Sequence, residues 1–393
     1  MQTKAKRKIL FVSHMASRSG APILLLEIIK EFKRESTVPF EILIIHDGEI
    51  SEEFKLLGKT YTWNRKQKSI RLFFIERLVH FILKLWLKLH QLYILYSLRN
   101  FSFVFLNTIT IGKIQKRLLF LKSSFICYVH EMGAAIEMAT TPEDLKIVLA
   151  HTNLFLACSQ AVKNNLVLNH QVSSKSIMVL NTSLPQTFRD KSAYMQSIDA
   201  FKQGNSIPED AIIIGIAGNS EWRKGVDLFV PLIIVYFNLF PQDAPTYFVW
   251  KGFDKSSDLY YFNVFDYRKF NKSDYAILLA HDSDPMSAMA CFDVHLLLSR
   301  EDPYPLVVLE AASFGIPTVC FADAGGSPEF VESDCGFVVP YCDLIRMAER
   351  LHELVTNKEL RTALGVNART KLQARHGRKN AMPAFMKILE EYT

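Results

Sequence analysis

The apolar positions of this chain fall into short unbroken runs separated by longer stretches with helical spacing. Lys8-Ile9-Leu10-Phe11-Val12 is continuous, as a strand covered on both faces in a parallel sheet requires. Ile23–Arg34 has helical periodicity, and Phe40–His46 is a second strand. Phe101–Leu106, Ser124–His130, Asn153–Ser159 and Lys175–Leu180 continue the strand series. After a polar stretch the pattern restarts at Ala211-Ile212-Ile213-Ile214-Gly215-Ile216-Ala217-Gly218, a strand entering a glycine turn. Tyr247–Lys251, Tyr275–Ala280, Val294–Leu298 and Pro317–Phe321 are its further strands. Helices over Val226–Phe237, Pro305–Phe314 and Asp343–Thr356 fill the gaps, and Tyr260–Asp274 reads as a polar, aromatic loop.

Strands alternating with helices predict an α/β protein of two doubly wound, Rossmann-like domains. The expected division is 1–184, a linker at 185–210 carrying Pro185, Gly204 and Pro208, and 211–379. A last helix at 380–393 is placed to return to the first domain. Length agrees, since 393 residues exceed one ordinary core. Ligands of such sheets bind beyond the strand C-termini, so a cleft between two facing domains is the expected site.

The helical stretch Ile70–Arg99 is rich in Leu, Ile, Phe, Trp and Tyr, with basic residues spaced through it. Its longest charge-free run, Leu89–Leu98, is far below the roughly 20 apolar residues that span a bilayer. Arg77, His80, Lys84, Lys88 and Gln91 form a polar stripe beside a wide apolar face. Packing of that face in the core competes with peripheral membrane contact through 70–99.

Composition narrows the function. A net charge of +6 is too mild to imply nucleic acid as partner. The six cysteines lie scattered, without metal spacing, as small buried hydrophobes of a reducing compartment would. The basic N-terminus leads into a strand interrupted by Ser13-His14, which is no signal-peptide core, so a cytoplasmic location is expected. There is no Ser-His-Asp ordering, no Cys-x-x-Cys and no zinc-type histidine pair.

The candidate chemistry sits at strand ends. In Ser299–Ala312, seven residues separate Asp302 from Glu310, which lies among Leu309, Ala311 and Ala312. A carboxylate in apolar company is costly to desolvate without partners. The intervening loop enters a helix N-terminus, a natural anion site. Two acids beside an anion site suit a ligand with both hydroxyls and phosphates, such as a nucleotide-sugar. Arg223-Lys224-Gly225 places two cations before a helix, where a solvated surface is the commoner outcome. His130 ends a strand, Gly20 lies in the first strand-to-helix loop, and Gly325-Gly326 follows a later strand. Alone, each glycine is as readily a plain turn.

Together these segments resemble the retaining glycosyltransferases of family 4, which have the GT-B fold. Ile9–His14 with Gly20-Ala21-Pro22 looks like their first strand and glycine loop, and Tyr128-Val129-His130-Glu131 like their histidine strand. Gly218 through Glu221-Trp222-Arg223-Lys224-Gly225 looks like their phosphate-binding segment. Asp302–Glu310, then Gly325-Gly326 and Glu329, looks like their Glu-x7-Glu helix and the loop after it. The resemblance implies that Glu310 binds the nucleotide ribose, that Asp302 faces the donor sugar, and that Arg223 and Lys224 hold the diphosphate. It implies that His130 contacts the transferred sugar, that Gly20 leaves room for the donor phosphates or the acceptor, and that Gly218 joins the donor-binding set. Glu301, Tyr304, Leu306 and Val307 join the donor-binding set, and His281 lies where this fold often reads the base. No metal or cofactor is implied. The implied partners are a UDP- or GDP-linked sugar and a glycan acceptor, and the basic, apolar Ile70–Arg99 segment adds the expectation of a lipid-linked acceptor or a cell-surface polysaccharide made in the cytoplasm at the inner membrane face. Three departures stand out: Asp302 is one methylene shorter than Glu and has Glu301 beside it, Pro305 lacks an N–H, and Asn219 replaces an arginine. They keep a non-catalytic, glycosyltransferase-like binding subunit in view, with a nucleotide-sugar 2-epimerase as a further alternative.

Overall fold

A computed structural model describes residues 8–64, 76–181, 188–241, 245–270, 273–280, 284–377, 383 and 385–389, the side chains at 76–81, 273 and 285 excepted. The chain divides into two compact units. The first comprises Met1–Cys158, Val162–Leu180 and Met382–Thr393, and the second Ser159–Ala161 and Asn181–Ala381.

The first unit is built on a seven-stranded sheet. Its strands are β1 (Ile9–Met15), β2 (Phe40–His46), β3 (Thr60–Asn64), β4 (Phe103–Leu106), β5 (Ser124–Val129), β6 (Leu154–Ala157) and β7 (Ile177–Val179). They run parallel in the order β3-β2-β1-β4-β5-β6-β7. The first five residues of β1 are buried, which explains its unbroken apolar run. Phe11 meets Phe32 of the Gly20–Glu35 helix at 5.7 Å and Phe105 of β4 at 5.6 Å, ring centre to ring centre. From the C-terminal segment, Phe385 packs edge-on against Phe105 at 5.4 Å.

The second unit holds β8 (Ile212–Ala217), β9 (Thr246–Lys251), β10 (Ala276–Leu279), β11 (Val294–Leu297), β12 (Thr318–Phe321) and β13 (Gly336–Val339). Their order is β10-β9-β8-β11-β12-β13, again parallel. Helices Val226–Leu239 and Leu344–Thr356 seal one core around Phe229, Ile233, Phe248, Trp250 and Leu351. Both sheets reverse direction of growth once, between β1 and β4 and between β8 and β11. In doubly wound sheets the crevice at such a reversal is where ligands bind.

Several sequence expectations change. Residues 258–270 are helix, not loop: Asn263 and Tyr267, one turn apart, are buried while Tyr261, Phe262 and Phe265 stay exposed, so no apolar stripe marks the segment. Within 185–210, read as linker, lies the helix Met195–Gly204. Tyr194, Ile198 and Phe201 pack it onto the second unit around Ile213 and Phe314. Strands β3 and β13 went unread; both are short sheet edges.

Candidate active site

In the second unit the site grows from the reversal between β8 and β11. The loop after β8 contains the turn Trp222–Lys224 and delivers Gly225 as N-cap of the Val226–Leu239 helix. Gly225 has φ of +76°, and a Cβ there would lie 2.1 Å from the Leu298 carbonyl oxygen. The glycine of Arg223-Lys224-Gly225 thus lets this helix end abut the end of β11.

The two loops are stitched together by backbone and charge. Arg300 N–H donates to the Arg223 carbonyl at 2.8 Å, and Arg223 Nη1 donates to the Glu301 carbonyl at 2.8 Å. Arg300 makes a two-point pair with Asp227, both bonds 2.7 Å, donates to the Trp222 carbonyl at 3.0 Å and lies over the Trp222 ring. Lys224 Nζ is bonded to Asp302 Oδ2, with Arg223 Nη1 3.7 Å from Oδ1 and Ser299 Oγ 3.3 Å from Oδ2. Asp302 is buried, and its carboxylate is occupied by these partners.

The backbone of Asp302 is held as firmly. Its N–H donates to the Ala324 carbonyl at 2.7 Å, and its carbonyl accepts from Gly326 N–H at 3.0 Å. Gly325 has φ of +117°, and a Cβ there would fall 1.9 Å from the Asp302 carbonyl oxygen. The Gly-Gly pair therefore serves close approach to Asp302 itself.

Glu310 is the opposite case. It lies in the Leu306–Ser313 helix, half-buried, and among the described residues its carboxylate takes no hydrogen bond or ion pair. Dense packing around it raises its pKa above the ordinary carboxyl value, and the charge of Arg189 works the other way. Pro305 is the N-cap of this helix, so Leu306 and Val307 present its first N–H groups, which precede any intrahelical carbonyl partner.

The other candidates disperse. The Tyr304 hydroxyl pairs with His376 Nε2 at 2.8 Å. The Glu301 side chain is half-buried beside Asp302. Gly218 donates to the Lys251 carbonyl at 2.9 Å and accepts from Trp250 Nε1 at 2.9 Å. Asn219 is exposed, 3.4 Å from Glu221. His281 lies outside the described residues. Glu329 receives the N–H groups of Gln160 and Ala161 at 2.9 and 2.7 Å.

In the first unit the corresponding reversal gathers the ends of β1, β4 and β5. Asn107, directly after β4, donates Nδ2 to the Ala21 carbonyl at 2.8 Å, so its Oδ1 accepts from His130 Nε2 at 3.2 Å. That network places the imidazole proton on Nε2. Burial, with His14 second, lowers the pKa of His130 to about 3, so it is neutral at physiological pH. Glu131 accepts from Thr108 Oγ1 at 2.5 Å, Ile109 N–H at 3.3 Å and His130 N–H at 3.0 Å, tying the loops after β4 and β5 together. Gly20 opens the Gly20–Glu35 helix next to Ala21. Asn107, Thr108 and Arg300 escaped sequence reading, because single polar residues after a strand carry no pattern. Their position beside a sheet reversal was the available signal.

Among the described residues, no group of three or more His, Cys, Asp or Glu is arranged to hold a metal ion. None of the described helices is long and apolar enough to cross a membrane.

Comparison with known proteins reaches the same region. Residues 197–371 match the family model described as Glycosyl transferases group 1. The chain is 19% identical to the capsular polysaccharide biosynthesis glycosyltransferase CapM of Staphylococcus aureus, over 58% of this chain and 59% of that protein. It is 29% identical to the O-antigen biosynthesis glycosyltransferase WclY of Escherichia coli, over 30% of this chain and 31% of that protein. Both curated relatives are thus spanned over less than two thirds of their length. Among solved structures, HepE of Anabaena in complex with UDP and glucose superposes with a TM-score of 0.74 at 16% identity, covering 98% of this chain and 99% of that one. That likeness carries the architecture, and the family match falls on the unit that holds Lys224, Asp302 and Glu310. Residues 197–371 thus carry the match to the group 1 glycosyltransferases, and the chain has the GT-B fold.

Proposed function

We propose that the protein transfers a sugar from a nucleoside diphosphate, UDP- or GDP-linked, to a hydroxyl acceptor, with retention at the anomeric carbon. The observation that carries this reading is the contrast at the β8–β11 reversal. Cations and the first N–H groups of a helix are fixed in place there, and in that helix lies the half-buried carboxylate of Glu310, which takes no hydrogen bond or ion pair among the described residues. A ligand bringing hydroxyl donors and phosphates together satisfies both.

In this reading Glu310 accepts hydrogen bonds from the ribose hydroxyls. Lys224, Arg223 and the N–H groups of Leu306 and Val307 stabilise charge on the departing diphosphate. The bond from C1 to the phosphate oxygen breaks and leaves its electron pair on that oxygen. The acceptor oxygen bonds to C1 from the same face, and its proton passes to the leaving oxygen. The transition state is oxocarbenium-like, so orientation and leaving-group stabilisation are the main contributions. Cations and a helix end supply the neutralisation, and we propose that no metal ion or cofactor is needed. His130, neutral and held through Nε2, contacts the transferred sugar. Asp302 acts mainly by fixing Lys224, a change from the donor-facing role that the resemblance implies.

The named roles of CapM and WclY support an acceptor in capsular polysaccharide, O-antigen or a related cell-surface glycan. Two measurements test the reading: slow release of nucleoside diphosphate from donor sugars without acceptor, abolished by Lys224→Ala, and product stereochemistry by NMR. Tight donor binding with no turnover across a broad acceptor panel favours a glycosyltransferase-like binding subunit instead.

A further inference from the structure

The positive charge of this chain is segregated. Residues 54–130 carry 14 of its 46 Lys and Arg but 1 of its 40 Asp and Glu. The remaining residues hold 32 basic and 39 acidic side chains, so a net +6 chain is a +13 segment joined to a −7 remainder. From 77 to 130 there is no acidic residue.

The helix Glu76–Ser97 lies in that segment. One side is docked: Ile94 and Leu98 are buried, His90 Nε2 bonds the Thr62 carbonyl at 2.9 Å, and Gln91 Nε2 donates to Asn64 Oδ1 at 3.2 Å. On the other side Leu85, Trp86, Leu89, Leu92, Tyr93 and Tyr96 are each 47 to 69% exposed. At 3.6 residues per turn these six fall within an arc of about 120°. Lys84 and Lys88, both exposed, run along one edge of the arc. At the helix end, Tyr96, Arg99, Phe120 and Leu121 line an open groove of about 530 Å³, with Lys122 next in the chain. A contiguous exposed apolar face of this width marks an interaction surface.

Charge decides what fits it. A second copy of the same face, related by a two-fold axis, would bring Lys84, Lys88 and Arg99 against their own counterparts. An anionic lipid surface accepts all of them, with Trp86, Tyr93 and Tyr96 at headgroup depth and Leu85, Leu89 and Leu92 reaching the acyl boundary. We propose that this face docks in the headgroup plane of an anionic bilayer. The proposal is independent of the transfer reaction and holds whatever the sugar donor.

The test is sedimentation of the full-length protein with phosphatidylcholine vesicles, with and without phosphatidylglycerol. Wild type is expected to pellet with anionic vesicles at least about tenfold better than with neutral ones, and to be released by salt. Leu89→Gln/Tyr93→Gln/Tyr96→Gln is expected to lose that binding while keeping nucleotide affinity and thermal midpoint. Lys84→Glu/Lys88→Glu is expected to weaken it about tenfold or more. Should the triple variant fail to fold, quenching of wild-type fluorescence by brominated lipid, lost in Trp86→Phe, reads the same contact. Absence of binding to anionic vesicles at low salt overturns the proposal, as does binding that neither variant changes. So does a wild-type dimer that the triple variant dissociates without any vesicle partition, which assigns the face to a second copy.

Discussion

Lys224 Nζ is ion-paired to Asp302, whereas Glu310, eight residues beyond that aspartate, meets no such partner among the described residues. One acid is committed to the fold, and in the proposed function the other meets the ligand. Removing the cation leaves Asp302 buried with a weaker partner. Broken buried pairs cost about 3–5 kcal/mol, but Arg223 remains 3.7 Å away and compensates in part. Lys224→Ala is expected to lose about 2–3 kcal/mol in urea unfolding, and Asp302→Asn made in that background is expected to recover much of it. Equal stability of Lys224→Ala and wild type contradicts the pairing.

Glu310→Gln is expected to move the other way. Burial of the carboxylate is offset only in part, by the charge of Arg189, so a neutral isostere relieves a cost and raises stability by up to about 1 kcal/mol. Nucleotide affinity should fall in the same variant. A gain in stability with a loss in binding marks a group kept for ligand, and thermal melts with and without nucleotide read both.

Arg300 touches no proposed ligand atom yet joins Asp227 and the Trp222 carbonyl across the two loops. Arg300→Ala is expected to cost about 1 kcal/mol of stability, since the pair is partly exposed. It should weaken nucleotide binding several-fold by releasing the turn that carries Arg223 and Lys224. Arg300→Lys cannot restore the two-point pair and is expected to rescue little. Unchanged affinity in both variants argues against a positioning role.

Three histidines set the acid side of stability. Burial, with the Lys224 charge second, lowers the pKa of His295 to about 3, and burial lowers His130 to about 3 and His14 to about 4. In the unfolded chain each titrates near 6.5. Between these values the unfolded chain binds more protons, so their contribution is complete above about pH 6.5 and is lost as pH falls. Glu131 and Glu310, raised by burial, act in the opposite sense from 4.5 upward. Comparing His295→Gln with wild type isolates one histidine. The variant is expected to show a stability slope shallower by about 1.4 kcal/mol per pH unit between pH 6 and 4. An identical slope shows that His295 does not contribute to the loss of stability in acid.

The parallel architecture was legible because strands such as Phe40–His46 and Ile212–Ala217 are apolar on both faces, a pattern that survives without tertiary context. The Asp258–Phe270 helix was not, since its exposed aromatics blur the buried side. Tyr194, Ile198 and Phe201 did carry helical spacing, but Pro208 and Gly204 made the segment look like a linker. At the site, spacing brought Asp302 and Glu310 to attention together and the sequence already marked Asp302 by its shorter side chain and adjacent Glu301, but the ion pair that occupies it came only from neighbours distant in sequence. Lys224 lies 78 residues before Asp302, and the Ala324 carbonyl that fixes Asp302 comes from the next strand's loop. Asn107 and Arg300 could be found only once the order of strands was known.

In the proposed function the β8–β11 reversal binds a nucleoside diphosphate with Glu310 on its ribose. Isothermal titration of wild type and Glu310→Gln with UDP and GDP, and with their 2′,3′-dideoxy analogues, tests it most directly. Wild type is expected to prefer the ribonucleotide about 10- to 100-fold, as charge-assisted hydrogen bonds of about 1.5–3 kcal/mol imply, and Glu310→Gln to lose most of that preference. Failure of wild type to bind either diphosphate, or a ribose preference that persists unchanged in Glu310→Gln, contradicts it.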